Sequence, residues 1–243
     1  MIGIEAWERA FRMIPRYVAM IGVLSALSGC DRSGEEPRAA PIAAGSGAER
    51  PTVVFLGTSL TAGFGLEPEE AYPALLQGKI DSAGLNYRVV NAGVSGETSA
   101  GARRRIDWLL REPVSVLIVE TGANDGLRGL PPDSLRANIQ AILDRARGLR
   151  PAPRLVLIGM KIPPNYGQAY SRQFEAIYHE LAKANDTELV PFLLQDVGGV
   201  AALNQSDGVH PTAQGQRRMA ETVWRVLEPV LREEQREGEK RQA

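Results

Sequence analysis

Three side chains in two distant segments of the sequence could together perform nucleophilic chemistry. Ser59 lies in a glycine-containing turn directly after the apolar run at residues 52–57. Asp207 and His210 lie near the other end of the chain, where Pro211 restricts His210 to an extended backbone. An Asp three residues before a His can accept a hydrogen bond from Nδ1, which leaves Nε2 free to take a proton from a serine hydroxyl. The sequence therefore predicts a triad of Ser59, His210 and Asp207.

Each of these residues also has an alternative role. Ser59 could cap a helix, because a hydroxyl at that position accepts a hydrogen bond from a free backbone N–H. The Asp207 and His210 pair could be half of a metal site, but the chain has only one other His and one Cys to complete it. The other His, His179, has polar neighbours in a helical pattern and is expected at the surface. We therefore expect neither a metal ion nor an organic cofactor.

Two further loops contain candidate donors to a negatively charged oxygen. Gly96 follows the second apolar run, and a glycine lets the backbone approach a ligand closely. Asn124 follows the third run, and its side-chain amide could stabilise the charge of a transition state by roughly 3–4 kcal/mol. Formation of a turn is the alternative role of both residues.

The elements that position these loops alternate along the chain. Apolar runs rich in Val, Ile and Leu lie at residues 52–57, 87–91, 114–121 and 154–160, with a weaker one at 188–190. Helical patterns lie at residues 69–83, 99–111, 133–147, 168–185 and 212–232. Runs without strict alternation are typical of parallel strands buried on both faces. This order predicts one α/β domain, a three-layer α/β/α sandwich with a five-stranded, mainly parallel sheet, whose ligands bind beyond the carboxyl ends of the strands.

Taken together, the four loops resemble the SGNH, or GDSL-type, hydrolase family. The matching blocks are residues 57–66, 91–99, 122–129 and 207–215. Within the family, residues 59–66, 122–129 and 164–167 are similar to the bacterial thioesterase I, arylesterase and lysophospholipase group. The resemblance covers residues 51–231 and implies a flavodoxin-like sheet.

The resemblance also implies roles for individual residues. It implies the Ser59–His210–Asp207 triad and an oxyanion hole made of the Ser59 N–H, the Gly96 N–H and the Asn124 side chain. The chain departs from the family at Thr58, where the family usually has Asp. A hydroxyl can keep some hydrogen bonds of that position but not its charge.

The implied activity is that of a serine esterase which hydrolyses acyl esters and thioesters through an acyl-enzyme, without a cofactor. Loops next to the site predict an acyl pocket formed by Leu127, Arg128, Leu130 and Tyr166, although core packing is an equally good explanation of their apolar character. An O-deacetylase of cell-envelope glycans is the alternative enzyme. A lipoprotein that binds envelope ligands without catalysis is the alternative from another class.

The N-terminal sequence resembles the signal of a bacterial lipoprotein. Arginines precede an apolar stretch at residues 17–27, and small residues then lead to Cys30. Residues 27–30 resemble a lipobox, so that cleavage would leave an acylated Cys30 after a signal peptide at residues 1–29. A plain secretory signal and an uncleaved membrane anchor are the alternatives.

The rest of the chain divides into three predicted parts. The sequence predicts a flexible tether at residues 30–50, the hydrolase domain at residues 51–231 and a frayed polar tail at residues 232–243. Asp31 resembles an inner-membrane retention signal, which places the anchored protein at the periplasmic face of that membrane.

The expected partners follow from charge and from the anchor. The net charge is −1 with both signs intermixed, and the densest basic cluster, residues 103–105, reads as a solvated helix face. We therefore expect no nucleic-acid partner, and instead a monomer that meets a small-molecule or lipid ester and a membrane, through its lipid anchor.

Overall fold

Five parallel strands form one sheet in the part of the chain that the computed structural model describes, residues 50–162 and 166–242. The strands are β1 (Thr52–Gly57), β2 (Arg88–Gly93), β3 (Val116–Glu120), β4 (Arg154–Ile158) and β5 (Glu188–Val190). Their order in the sheet is β2-β1-β3-β4-β5, and every neighbouring pair is parallel. The predicted α/β fold is confirmed, with a fully parallel sheet rather than a mainly parallel one.

Helices follow the strands and cover both faces of the sheet. They are α1 (Ser59–Ala62), α2 (Tyr72–Ser82), α3 (Ser99–Leu109), α4 (Ala123–Leu127), α5 (Pro132–Arg147), α6 (Gln168–Ala184) and α7 (Ala213–Gln242). Helix α2 packs against α7 to form one layer, whereas α3, α5 and α6 pack side by side to form the other. The chain therefore folds into the three predicted layers.

The core lies between these layers, along the central strands. Residues 53–57 of β1 and all of β3 are buried, because helices cover both sides of these strands. Strand β2 is at the edge of the sheet and is only partly buried. Strand order reverses between β1 and β3, and ligands of parallel sheets bind where the two strands at such a reversal end.

The last helix is longer than the sequence pattern predicted. Helix α7 continues to Gln242, so the polar residues after 231 extend it instead of fraying. Glu, Arg, Lys and Gln are good helix formers, and Arg232 pairs with Glu228 one turn earlier. The extension also contacts the domain, because the side-chain oxygen of Gln235 accepts the N–H of Asn86 at 3.4 Å.

The predicted signal peptide, Cys30 and the tether up to residue 49 lie outside the described residues. In the part that is described, no helix is both long enough and apolar enough to cross a membrane.

Candidate active site

Ser59 is held at the carboxyl end of β1 by a sharp strand-to-helix turn. It is the first residue of the four-residue helix α1, and Gly63 ends that helix in the left-handed conformation with φ +73°. The side chain does not act as the helix cap that was the alternative role, since the residue before it, Thr58, holds that position. The hydroxyl of Ser59 instead points to an imidazole.

The structure brings Ser59, His210 and Asp207 into one hydrogen-bonded chain. Ser59 Oγ lies 2.9 Å from His210 Nε2, and His210 Nδ1 lies 2.6 Å from Asp207 Oδ2. The other oxygen, Oδ1, accepts the backbone N–H groups of Val209 and His210 at 2.9 and 3.0 Å. These bonds, chiefly that from the His210 ring, lower the pKa of Asp207 to about 2. Asp207 is therefore an ionised acceptor that orients the ring, with Nε2 turned to the hydroxyl.

A second set of bonds fixes the loop of His210 to the turn of Ser59. The side-chain amide of Gln205 donates to the carbonyl of Phe64 at 2.7 Å, and its backbone N–H donates to the carbonyl of His210 at 2.7 Å. The ring centroids of Phe64 and His210 are 4.5 Å apart. The imidazole is thus confined by Asp207 at one nitrogen and by an aromatic ring against its face.

A buried carboxylate lies beneath the turn that carries Ser59. Glu120, the last residue of β3, is 1% exposed and accepts the backbone N–H of Thr58 at 2.7 Å and its hydroxyl at 3.0 Å. The hydroxyl of Thr61 donates to the same carboxylate at 2.8 Å. Burial raises the pKa of Glu120, and the bonds from these threonines lower it in part. Thr58, which stands where the family usually has Asp, therefore donates to an acid instead of adding a second one.

The two candidate oxyanion donors lie on adjacent loops that are joined by a hydrogen bond. Gly96 has φ +77°, a conformation that favours glycine. The Asn124 side-chain amide donates to the carbonyl of Glu97, the residue after Gly96, at 3.0 Å. Arg105 holds this loop in place, since its guanidinium binds Glu97 and also donates to the carbonyl of Ala92 at 2.8 Å. Arg105 is partly buried in this role, so the prediction of a solvated helix face for residues 103–105 was wrong for this residue.

Helix α4 carries Asn124 and is itself tightly positioned. Gly122 precedes it with φ +106°, and a Cβ there would lie 2.2 Å from the hydroxyl of Tyr178. Asp125, which is buried, accepts the N–H of Ser99 at 2.8 Å and thereby ties α4 to the start of α3. A larger residue at position 122 would displace the backbone that aims the Asn124 amide.

A cavity of about 440 Å³ opens beside Ser59 and His210. Ser59, Asn124 and His210 line it together with apolar side chains, among them Leu127, Met160, Ile162, Phe192, Leu194 and Val209. Its one lysine, Lys161, pairs with Glu175 at 2.8 Å and lies 5.4 Å from the centre of the Phe192 ring. The cavity therefore suits an uncharged, apolar group next to the hydroxyl.

Of the four predicted pocket residues, the structure places only Leu127 among the described residues that line this cavity. Arg128 instead donates to the carbonyl of Gly96 at 3.0 Å. The hydroxyl of Tyr166 donates to the carbonyl of Leu127 at 2.8 Å, and Leu130 accepts a similar bond from a neighbouring tyrosine. These residues support the loops around the cavity. Residues 163–165, which precede Tyr166, lie outside the described part.

Several residues of the site were missed by reasoning from the sequence. Glu120 ends an otherwise apolar buried strand, and an acidic residue at such a position indicates that its carboxylate has a specific hydrogen-bond partner. Phe64 lies within the matching block at residues 57–66, but no role was predicted for it. Phe192 and Leu194 lie after β5 with no local signal, because only the packing of that loop turns them to the cavity.

Comparison with known proteins agrees with this geometry. The model of the GDSL-like lipase/acylhydrolase family matches residues 55–218. Esterase TesA of Pseudomonas aeruginosa is 42% identical over 181 residues, which are 74% of this chain and 89% of that protein. Thioesterase 1/protease 1/lysophospholipase L1 of Escherichia coli K12 is 38% identical over 182 residues, 74% of this chain and 85% of that protein.

Solved structures give the same result. The psychrotrophic esterase EstA from Pseudoalteromonas sp. is 34% identical, with a TM-score of 0.69 over 74% of this chain and 98% of that one. Sequence match, fold and the arrangement of loops agree, and the resemblance seen in the sequence is confirmed. The chain belongs to the GDSL-like lipase/acylhydrolase family and is a carboxylic ester hydrolase.

Proposed function

We propose that this protein is a serine esterase that works through a Ser59 acyl-enzyme. The observation that carries the proposal is the continuous chain of bonds from Ser59 Oγ to His210 Nε2 and from Nδ1 to Asp207. His210 takes the proton of Ser59 as its oxygen attacks the ester carbonyl, and Asp207 stabilises the imidazolium that results. His210 then protonates the leaving alcohol or thiol, and water repeats the attack on the acyl-enzyme.

The tetrahedral intermediate needs donors for its negatively charged oxygen. The backbone N–H groups of Ser59 and Gly96 and the side-chain amide of Asn124 are proposed for this role. In support, Asn124 lines the same cavity as Ser59, and its bond to Glu97 connects it to the loop of Gly96. Donors that are already fixed stabilise the charge as it develops, without reorganisation at the moment of reaction.

The apolar cavity supports an acyl ester with a hydrocarbon chain as substrate. A volume of about 440 Å³ is far larger than an acetyl group needs. The names of the relatives support this substrate class, since one is an esterase and another is a thioesterase that is also a lysophospholipase. EstA is inhibited by a phosphonate, a class of reagent that suits a serine nucleophile. We infer that lysophospholipids or related lipid esters of the cell envelope are the natural substrates.

The proposal is tested with the variant Ser59→Ala. We expect it to lose turnover of p-nitrophenyl butyrate and labelling by a fluorophosphonate probe, while its melting temperature stays close to that of the wild type. Ser82→Ala, which changes an exposed serine on α2, is the matched control and should keep both properties. Turnover by Ser59→Ala near the wild-type rate would refute the nucleophile.

A series of p-nitrophenyl esters from acetyl to decanoyl decides between acyl classes. We expect kcat/KM to rise with chain length until the cavity is full. A sharp preference for acetyl would instead favour an O-deacetylase of envelope glycans. Absence of both turnover and labelling in the wild type would favour a ligand-binding protein without catalysis.

We further propose that acylation of Cys30 anchors the protein to a membrane of the cell envelope, on its periplasmic side. The support is the lipobox-like sequence at residues 27–30. Cys30→Ala should abolish incorporation of labelled palmitate and the mobility shift of processing. Persistence of the label in this variant would contradict the anchor.

A further inference from the structure

Exposed apolar side chains concentrate around the candidate active site. Among the residues that the structure describes, seven large apolar side chains are exposed by 37% or more: Phe64, Val94, Leu127, Leu130, Trp108, Val200 and Val209. All except Trp108 lie in the segments that follow the carboxyl ends of β1, β2, β3 and β5, five of them in loops and Leu127 at the end of α4. We name these six residues the apolar rim. A uniform scatter over the surface would not place six of seven on one edge of the sheet.

The rim is continuous with the cavity. Leu127 and Val209 line the cavity itself, and Val200 directly follows the lining residues Gly198 and Gly199. Phe64 contacts the ring of His210. An apolar chain that leaves the cavity therefore meets more apolar surface before it meets water.

Two exposed stretches of the rim contain no charged residue. Residues 94–96 and 198–202 contain no charged side chain, although 23% of the whole chain is charged. Arg128, exposed beside Leu127, is held by its bond to the Gly96 carbonyl. Uncharged loops can enter the interface of a bilayer at low cost, and a guanidinium at their border can bind a lipid phosphate.

The length of chain before the domain permits such contact. The described chain starts at residue 50, at the amino end of β1 and thus at the opposite edge of the sheet from the rim. The 21 residues from Cys30 to Arg50 span at most about 70 Å when fully extended. A domain of this size is about 40 Å across. A chain anchored through Cys30 can therefore turn the rim toward the same membrane that holds its N-terminus.

We propose that the apolar rim docks on the surface of a phospholipid bilayer, so that the enzyme takes a lipid ester directly from the membrane into its cavity. The substrate named here rests on the proposed function, whereas docking is a separate property of the surface. The rim side chains enter the interface, the acyl chain passes from the bilayer along Leu127 and Val209, and the ester carbonyl arrives at Ser59.

Docking is measured with the full chain reconstituted in phosphatidylcholine vesicles. Val200→Cys and the matched control Trp108→Cys are each labelled with a bimane dye, and the wild-type chain, whose one cysteine is Cys30, gives the background. We expect a blue shift of the dye at position 200 and its quenching by spin-labelled lipid, with neither at position 108. The proposal is overturned if the dye behaves in the same way at the two positions. It is also overturned if the shift at position 200 appears without vesicles and grows with protein concentration, because that result indicates contact between copies of the chain.

A second measurement compares two rates in the same vesicles. Val94→Ser combined with Val200→Ser should lower hydrolysis of bilayer-embedded lysophosphatidylcholine about tenfold, because two exposed apolar side chains no longer enter the interface. Hydrolysis of water-soluble p-nitrophenyl acetate should stay unchanged, and Trp108→Ser should alter neither rate. Equal rates of the double variant and the wild type on the lipid would overturn docking. Turnover of the soluble ester by Ser59→Ala would overturn the proposed function and leave the dye result unaffected.

Discussion

Replacement of Thr58 by Val tests the hydrogen-bond network beneath Ser59. The substitution removes one hydroxyl, which donates to both oxygens of the Glu120 carboxylate at 3.0 Å. Val has a similar shape, so no void forms, and the backbone N–H of residue 58 still donates to the carboxylate at 2.7 Å. The change therefore isolates one buried bond to an acid.

The size of the effect follows from the charge of the acceptor. A hydrogen bond to a charged group contributes about 1.5–3 kcal/mol to the free energy of unfolding. In a domain of this size each kcal/mol lowers the melting temperature by about 2–4 °C. We therefore expect Thr58→Val to melt about 3–12 °C below the wild type at pH 8.

The effect should depend on pH in one direction. Burial already raises the pKa of Glu120 above its ordinary 4.5, and loss of the hydroxyl raises this pKa further. A carboxyl whose pKa is higher in the folded protein contributes stability that is present at low pH and is lost as pH rises through the folded pKa. The difference between wild type and variant should therefore grow above pH 4.5 and be smaller near pH 4.

The assay is thermal unfolding followed by circular dichroism at pH 4 and pH 8. Thr58→Ser is the control, because it keeps the hydroxyl and loses only a methyl group. If Thr58→Val and Thr58→Ser melt at the same temperature at both pH values, the argument that the hydroxyl stabilises the buried carboxylate is refuted.

Three further predictions concern the same site. Asp207→Asn should lower kcat about 10⁴-fold on p-nitrophenyl butyrate, because an amide at this position donates to His210 Nδ1 and leaves Nε2 protonated; a loss under tenfold would contradict the triad. Asn124→Ala should lower kcat by about 10²–10³ with little change in KM, whereas a rise in KM at unchanged kcat would argue for substrate binding instead. The wild type should lose stability as pH rises above 4.5, and Glu120→Gln should remove part of this loss. If the curves of unfolding free energy against pH are parallel for the wild type and the variant, Glu120 does not ionise in this range.

Local signals explain which parts of the site the sequence predicts. The apolar runs give the strands, and a parallel sheet must bring the loops after β1, β2, β3 and β5 to one edge. Ser59, Gly96, Asn124 and His210 could be found because each follows such a strand. The length of α7 was underestimated, because the apolar period stops near residue 231 while helix propensity continues.

The lining of the cavity depends on contacts that the sequence does not encode locally. Arg128 and Tyr166 are near the site in sequence, but hydrogen bonds to backbone carbonyls turn them to the support of loops. Phe192 and Leu194 line the cavity from a loop that carries no motif. Arg105 belongs to a cluster of three arginines, and only the packing of α3 shows which of them binds Glu97.

The sequence by itself determined the type of sheet, the order of the loops and the identity of the hydroxyl, imidazole and carboxylate, since these depend on patterns within single segments. Only the tertiary structure decided that Thr58 serves a buried Glu120, that Phe64 packs on His210 and that the exposed apolar side chains share one edge. Each of these facts joins residues from separate elements, and their distances depend on how all the layers pack together.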